Sequence, residues 1–280
     1  MRAAILVMMA TTYLSLSAED AQWQFEGWAG PSFSVRMFSP DDANVETKIV
    51  IVMHGASRDA QRYYKDWKAL AKEHNLIIVV PEFTKQSFQK SARYNLGHVF
   101  DPNTGRQRAE ELWTFSAIEP LFDAVVARIV GEQTSYTIYG HSAGSQFVHR
   151  FMYYKPDARV DRYIAANAGW YTLPVMDFKY PYGFVDSGLG DTDLPEIFSK
   201  PLFILLGRKD TDPDAKSLRK TAEAERQGPN RLVRGLTMYR EAKAMADELG
   251  APFNWQLFVV NGADHDNAKM APVAAEIAAQ

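Results

Sequence analysis

The sequence predicts an α/β fold in which a mostly parallel central sheet carries helices on both faces. Two observations lead there. Short runs rich in β-branched residues alternate along the chain with amphipathic stretches of helical period. The runs are also continuously apolar, as strands buried on both faces are. A chain of 280 residues, 46% hydrophobic and 23% charged, is long enough to enclose one large core of this kind.

From the N-terminus, Arg2 precedes an uncharged stretch, Ala3 to Ala18, that ends in small residues in the manner of a secretory signal peptide. Cleavage is expected near Ser17 or Ala18, leaving residues 19–280 as a single domain that is secreted or periplasmic. The stretch is short for a bilayer span and is broken by Thr11, Thr12, Ser15 and Ser17, so no stable membrane anchor is expected after cleavage. Trp23 to Glu26 and Phe33 to Phe38 alternate apolar and polar residues and read as edge strands that open the sheet antiparallel. The core strands are Ile49 to Met53, Leu76 to Val80, Tyr136 to Tyr139, Tyr163 to Ala166, Leu202 to Leu206 and Gln256 to Val260. Ile118, Phe122, Val125 and Ile129 fall at helical spacing, as do Ala143, Phe147 and Phe151; further helices are expected over 235–249 and from about Ala271. Three long connections stand outside this scaffold: 83–111 with its basic residues, 168–200 with its aromatic residues, and the charged segment 209–230.

The chemistry begins at Gly140-His141-Ser142-Ala143-Gly144, a G-x-S-x-G turn between a buried strand and an amphipathic helix. A serine lifted out of such a turn needs glycines on either side, because a β-carbon at Gly140 or Gly144 crowds the backbone crossing. The helix that follows places its positive end beneath an oxygen that becomes negative. The alternative is a glycine turn in which Ser142 merely caps the helix. The order of this turn, then Gly207-Arg208-Lys209-Asp210 after a later strand, then Asp264-His265 near the end, resembles the α/β-hydrolase family over residues 45–280. The resemblance implies the α/β-hydrolase fold and the family's chain order of nucleophile, acid and histidine.

A serine hydroxyl needs a neutral imidazole beside it, and the imidazole needs a carboxylate to hold its tautomer. Of the six histidines, His265 alone follows the last core strand and so lies at the sheet edge that carries Ser142. The acid belongs on the loop after Leu202 to Leu206, where Asp210, Asp212 and Asp214 all stand. Asp210 is preferred for its Gly207-x-x-Asp spacing, which resembles the family's acid turn, and for its closeness to the strand end; Asp212 remains the competitor. Met53-His54-Gly55-Ala56-Ser57 resembles the family's His-Gly turn, which assigns the oxyanion donors to the backbone N–H of Ala56 and of Ala143 and leaves His54 a structural turn residue.

Together with Ala166-Asn167-Ala168-Gly169-Trp170-Tyr171 and the late Gly262-x-Asp264-His265, these turns look closest to the polyhydroxybutyrate depolymerase and feruloyl or acetylxylan esterase branch. That resemblance implies hydrolysis of carboxylic esters, small or polymeric, without cofactor or metal. A non-catalytic binding protein on the same scaffold and a serine peptidase are the competing readings. The aromatic cluster led by Trp170 and Tyr171 reads either as a binding surface for an acyl chain, sugar or phenolic ring, or as packing beneath its own loop. Lys85, Lys90, Arg93, Arg106 and Arg108 read either as a lure for acidic substrates or as a solvated rim. No cysteine is present, which excludes disulfides and thiolate chemistry. The net charge of -3 gives no pull toward nucleic acid, no nucleotide-binding fingerprint occurs, and Asp101-Pro102-Asn103-Thr104-Gly105 reads as a turn rather than a cation loop.

Overall fold

The computed structural model of the protein describes residues 19–280, so the expected signal peptide lies outside the described residues. Eight strands form one sheet in the order β1-β2-β4-β3-β5-β6-β7-β8. They are β1 Glu19–Phe25, β2 Phe33–Ser39, β3 Ile49–Met53, β4 Ile77–Glu82, β5 Tyr136–His141, β6 Val160–Ala166, β7 Leu202–Gly207 and β8 Gln256–Val260. Strand β2 runs antiparallel to both neighbours, and every pairing from β4 to β8 is parallel. The antiparallel opening follows the alternating pattern of the first two segments. Of these two strands, however, β1 alone is an edge, because β2 is covered by β1 on one side and β4 on the other. At the far edge β8 is half-exposed despite its apolar run, since it has a single neighbour and Phe258 turns outward.

Period-two alternation divides each central strand between two cores. Ile49, Ile51 and Met53 face a core closed by α2 (Ile118–Ile129), α3 (Ala143–Tyr154) and α6 (Arg231–Leu249). Val50 and Val52 face the opposite core, closed by α1 (Ala60–Glu73) and α7 (Asn267–Ala279). In α1 the buried residues Ala60, Tyr63, Trp67 and Ala71 recur at helical spacing, and the Asp59 side chain caps the first turn by accepting from Arg62 N–H. Asn230 caps α6 and Asp266 caps α7 in the same way. The helices α4 (Leu194–Ser199) and α5 (Ala222–Gln227) are short pieces within the long connections.

Parallel strands send all their C-terminal ends to one edge, and a crevice beyond that edge is where side chains from separate loops can meet. The loops after β3, β5, β6, β7 and β8 gather there. The crossing of β5 and α3 is the tightest backbone contact of this edge. A β-carbon built on Gly140 falls 2.2 Å from the carbonyl group of Gly144, and one on Gly144 falls 2.0 Å from Met53 O. Gly144→Ala is therefore expected to lower the unfolding free energy in urea by about 1–3 kcal/mol or more. Gly190→Ala, where a β-carbon meets nothing within 4 Å, is expected to stay within about 0.5 kcal/mol of the parent.

Candidate active site

Strand β5 ends at His141 and α3 starts at Ala143, so Ser142 alone makes the turn, at φ 58° and ψ -114°. A positive φ is strained for a residue with a β-carbon. The neighbours hold it there: Ser142 N–H donates to Ala166 O at 2.9 Å on β6, and Ser142 O accepts from Gln146 N–H at 3.2 Å in α3. The hydroxyl is left half-exposed above the sheet edge.

His265, on the loop after β8, stands with Nε2 3.0 Å from Ser142 Oγ and Nδ1 2.7 Å from Asp210 Oδ2. The carboxylate accepts the Nδ1 hydrogen, which leaves the Nε2 lone pair free to accept the serine hydroxyl. Asp210 is 3% exposed, whereas Asp212 is exposed and accepts from Asp214 N–H within its own turn. The other oxygen of Asp210 accepts from Arg231 Nη1 at 3.1 Å, and Arg231 Nη2 donates to Ser217 Oγ at 2.9 Å. Arg231, 2% exposed at the start of α6, is a residue that sequence reasoning missed. It directly follows the connection 209–230 in the chain and carries no local mark of burial.

Asn167, within the run Ala166 to Tyr171, ties two of the site's loops together. At φ 49° and 1% exposure, its Oδ1 accepts from Gly207 N–H at 2.7 Å and its Nδ2 donates to Asp264 O at 2.9 Å. The ends of β6 and β7 and the His265 loop are thereby joined through one amide. Its one sequence signal is position: an Asn directly after a buried strand is a residue type that enters positive φ at low cost.

The turn after β3 lies against the serine, since a β-carbon on Gly55 would stand 3.6 Å from Ser142 Cβ. His54 supports that turn from beneath. Its Nε2 accepts from Phe83 N–H at 3.0 Å, its Nδ1 donates to Gly55 O at 3.2 Å, and burial pushes its pKa down to about 3. Arg58 then ties the turn to the connection after β4, donating to Phe83 O, Phe88 O and Lys90 O while stacking on Tyr94. Arg58 is a second functional support with no sequence signal. The turn's closing bond runs from Arg58 N–H to Gly55 O at 3.1 Å and leaves the Ala56 N–H outside it. The Ala143 N–H, first in α3, has no acceptor within its helix. The N–H groups of Ala56 and Ala143 are thus both left without a backbone acceptor among the described residues, one in the turn that lies against Ser142 and one directly after it in the chain. His141 is buried next to His265, ring centroids 4.7 Å apart, with Nδ1 2.9 Å from Tyr63 Oη; burial holds it neutral.

Trp170 and Tyr171 do not form the substrate-facing surface that was one expectation for them; they take the other, packing beneath their own loop. Trp170 is 3% exposed, held between the guanidinium groups of Arg150 at 4.2 Å and Arg219 at 4.6 Å. Tyr171 is fully buried, and Gln227 bonds its backbone N–H and its carbonyl, each at 2.8 Å. A connection of this length needs a core of its own, and its largest rings supply it. The surrounding electrostatics are one-sided. Arg58, Arg150, Arg231 and Arg234 are buried around the site, and among the described residues only Arg231 of these has a carboxylate partner. Arg150 and Arg234 donate mainly to carbonyl oxygens, among them Asn95 O and Gly169 O. Burial pushes the Arg150 pKa down to about 10, which still leaves it charged at neutral pH.

No protein-family model matches the chain, and no curated protein sequence does. Solved structures do. Poly(aspartic acid) hydrolase-1 from Sphingomonas sp. KT-1 is 42% identical, with a TM-score of 0.91 over 95% of this chain and 100% of that one. LpqC, a poly(3-hydroxybutyrate) depolymerase from Bordetella parapertussis, is 31% identical, with a TM-score of 0.86 over 93% of this chain and 90% of that one. Siderophore hydrolase EstB from Aspergillus nidulans shares the fold at 13% identity, with a TM-score of 0.58 over 99% and 97% of the two chains.

Two measurements follow from this geometry. Arg231→Met removes the guanidinium from a buried carboxylate and is expected to cost about 3–5 kcal/mol of unfolding free energy in urea; a loss under about 1 kcal/mol shows that Asp210 does not depend on it. His54, His141 and His149 are buried with pKa values held below the unfolded value by desolvation. Below about pH 6.5 the unfolded chain therefore binds more protons than the folded one, so stability falls as pH falls. Between pH 7 and 5.5 the expected loss is about 1 kcal/mol for each of these histidines, and a flat urea midpoint across that window contradicts it.

Proposed function

Because the chain belongs to the α/β-hydrolase family, we propose that it is an exported serine hydrolase that cleaves carboxylic esters through an acyl-enzyme. The observation that carries this reading is the unbroken hydrogen-bond path from Ser142 Oγ through His265 to Asp210, at 3.0 and 2.7 Å. His265 Nε2 takes the hydroxyl proton as Oγ attacks the carbonyl carbon. The carbonyl oxygen becomes an oxyanion beside the Ala56 and Ala143 N–H groups, where fixed donors stabilise it without reorganising. Collapse breaks the bond to the leaving alkoxide, which takes the proton from His265. Water then repeats the cycle on the acyl-enzyme, with His265 as base, and releases the acid and the free serine. Asp210 steadies the transient imidazolium, and Arg231 and Asn167 keep it and the His265 loop in register.

The name of LpqC, a poly(3-hydroxybutyrate) depolymerase, supports a polyester substrate. A second reading is an acidic, amide-linked polymer. It is favoured by the name of the 42% identical hydrolase, poly(aspartic acid) hydrolase-1, and by the buried arginines that lack carboxylate partners. Both readings use the same acyl-enzyme and differ in the leaving group. Export is supported by the uncharged stretch after Arg2. Secreted or periplasmic protein is expected to start near residue 18 or 19; an intact Met1 on mature protein overturns it.

A fluorophosphonate probe is expected to label Ser142, and Ser142→Ala to abolish labelling and cut p-nitrophenyl butyrate turnover by at least about 1000-fold. Folded protein that takes no label supports a binding role instead. Comparing that ester with poly(3-hydroxybutyrate) and poly(aspartic acid) decides the substrate class, and cleavage of the amide polymer alone overturns the ester assignment.

A further inference from the structure

We propose that a second site, apart from Ser142, binds carboxylate groups of an acidic polymer chain; the inference rests on the acidic-polymer reading of the substrate. The turn between β1 and β2 and the connection after β4 enclose a cleft of about 260 Å³ lined by Trp28, Phe88, Arg93, His98, Arg108 and Thr114. Its cationic side is underused by the protein itself. The Arg93 guanidinium makes no hydrogen bond or ion pair with any described residue, although its backbone carbonyl accepts from Thr114 Oγ1. Arg108 Nε and His98 Nε2 are buried with no partner. Burial, then Arg108 and Arg93, push the His98 pKa down to about 4, so the imidazole is neutral at pH 7 while both arginines keep their charge. The carboxylate that faces them is Asp101, 4.0 Å from Arg108 Nη1. One of its oxygens is engaged by Asn103 N–H and by the N–H and hydroxyl of Thr104 in its own turn. Positive charge therefore exceeds negative at this wall.

The aromatic part of the lining is Trp28 with Phe88. Trp28 stacks on Phe88 with centroids 6.2 Å apart and planes 13° apart, and its indole N–H is already taken by Pro31 O. Two guanidinium groups and an aromatic pair lining one cleft suit a carboxylate on a short aliphatic stem: the planar forks match the carboxylate, and the rings can cover the stem. The cleft is also mechanically continuous with the reaction centre, because Phe88 O accepts from Arg58 at the base of the turn beside Ser142. Ser142 itself is not among its lining residues. The ligand class that the acidic-polymer reading brings to this cleft is an extended chain carrying carboxylates along its length.

The test uses sodium poly(aspartate) and Ser142→Ala protein, so that binding is read without turnover, by calorimetry at low ionic strength. The parent is expected to bind, and adding Arg93→Gln to weaken Kd by about 10-fold, with a further loss from Arg108→Gln. Lys72→Gln, an equal loss of charge on the exposed last turn of α1, is expected to change Kd by less than about 2-fold. In protein that retains Ser142, Arg93→Gln is expected to lower the ratio of kcat/KM for the polymer to that for p-nitrophenyl butyrate. Absence of polymer binding by the parent, or equal Kd values for the parent and Arg93→Gln, overturns the site. Polymer that binds through Arg93 but is not cleaved by protein with Ser142 intact leaves the site standing and overturns the substrate reading instead.

Discussion

The strained backbone of Ser142 is the constraint on which the rest of this structure depends. A serine at positive φ persists only if its surroundings leave it no other conformation. Here β5 and α3 cross so closely that Gly140, Gly144 and the Met53 carbonyl leave no room for a β-carbon, and the Ser142 N–H is committed to β6. The same crossing sets the turn after β3 against the serine and starts α3 with a free amide beneath it. One steric condition thus places the hydroxyl, the candidate oxyanion donors and the helix end together.

A second layer of order comes from buried polar side chains that bind backbone. Asn167 joins the ends of β6 and β7 to the His265 loop, Arg58 joins the turn after β3 to the connection after β4, and Gln227 holds Tyr171. Loops cannot be held by ladder hydrogen bonds, so their carbonyls need donors from elsewhere. Arginine reaches several at once, which is why guanidinium groups rather than apolar side chains fill the spaces behind the site. The result is local: a chain with a net charge of -3 gathers cationic groups along its functional edge.

Most of the fold was legible in the sequence because strands and helices report themselves through their own periodicity. Ile49–Met53 and Gln256–Val260 coincide with their apolar runs, and α2 spans the helical pattern from Ile118 to Ile129. Helix α1, marked by Tyr63 and Trp67, went unplaced among polar residues, because its buried stripe is narrow and its flanks are charged. The partial exposure of β8 was not legible at all, since an apolar run does not say how many neighbours the strand has. Trp170 and Tyr171 show the same limit, because an aromatic residue serves equally as a ligand surface or as a core, and only the packing of its loop separates the two.

By itself the sequence determined what neighbours in the chain can specify: the strand and helix alternation, the glycine spacing around Ser142, and a histidine placed after the last strand. The tertiary structure alone decided which carboxylate turns toward His265, because that choice rests on Arg231 at the head of a different helix and on the burial they share. It likewise decided that Asn167 and Arg58 bind the loops together. Such roles depend on distances in space between residues far apart in the chain, and no local pattern of residue types encodes a distance.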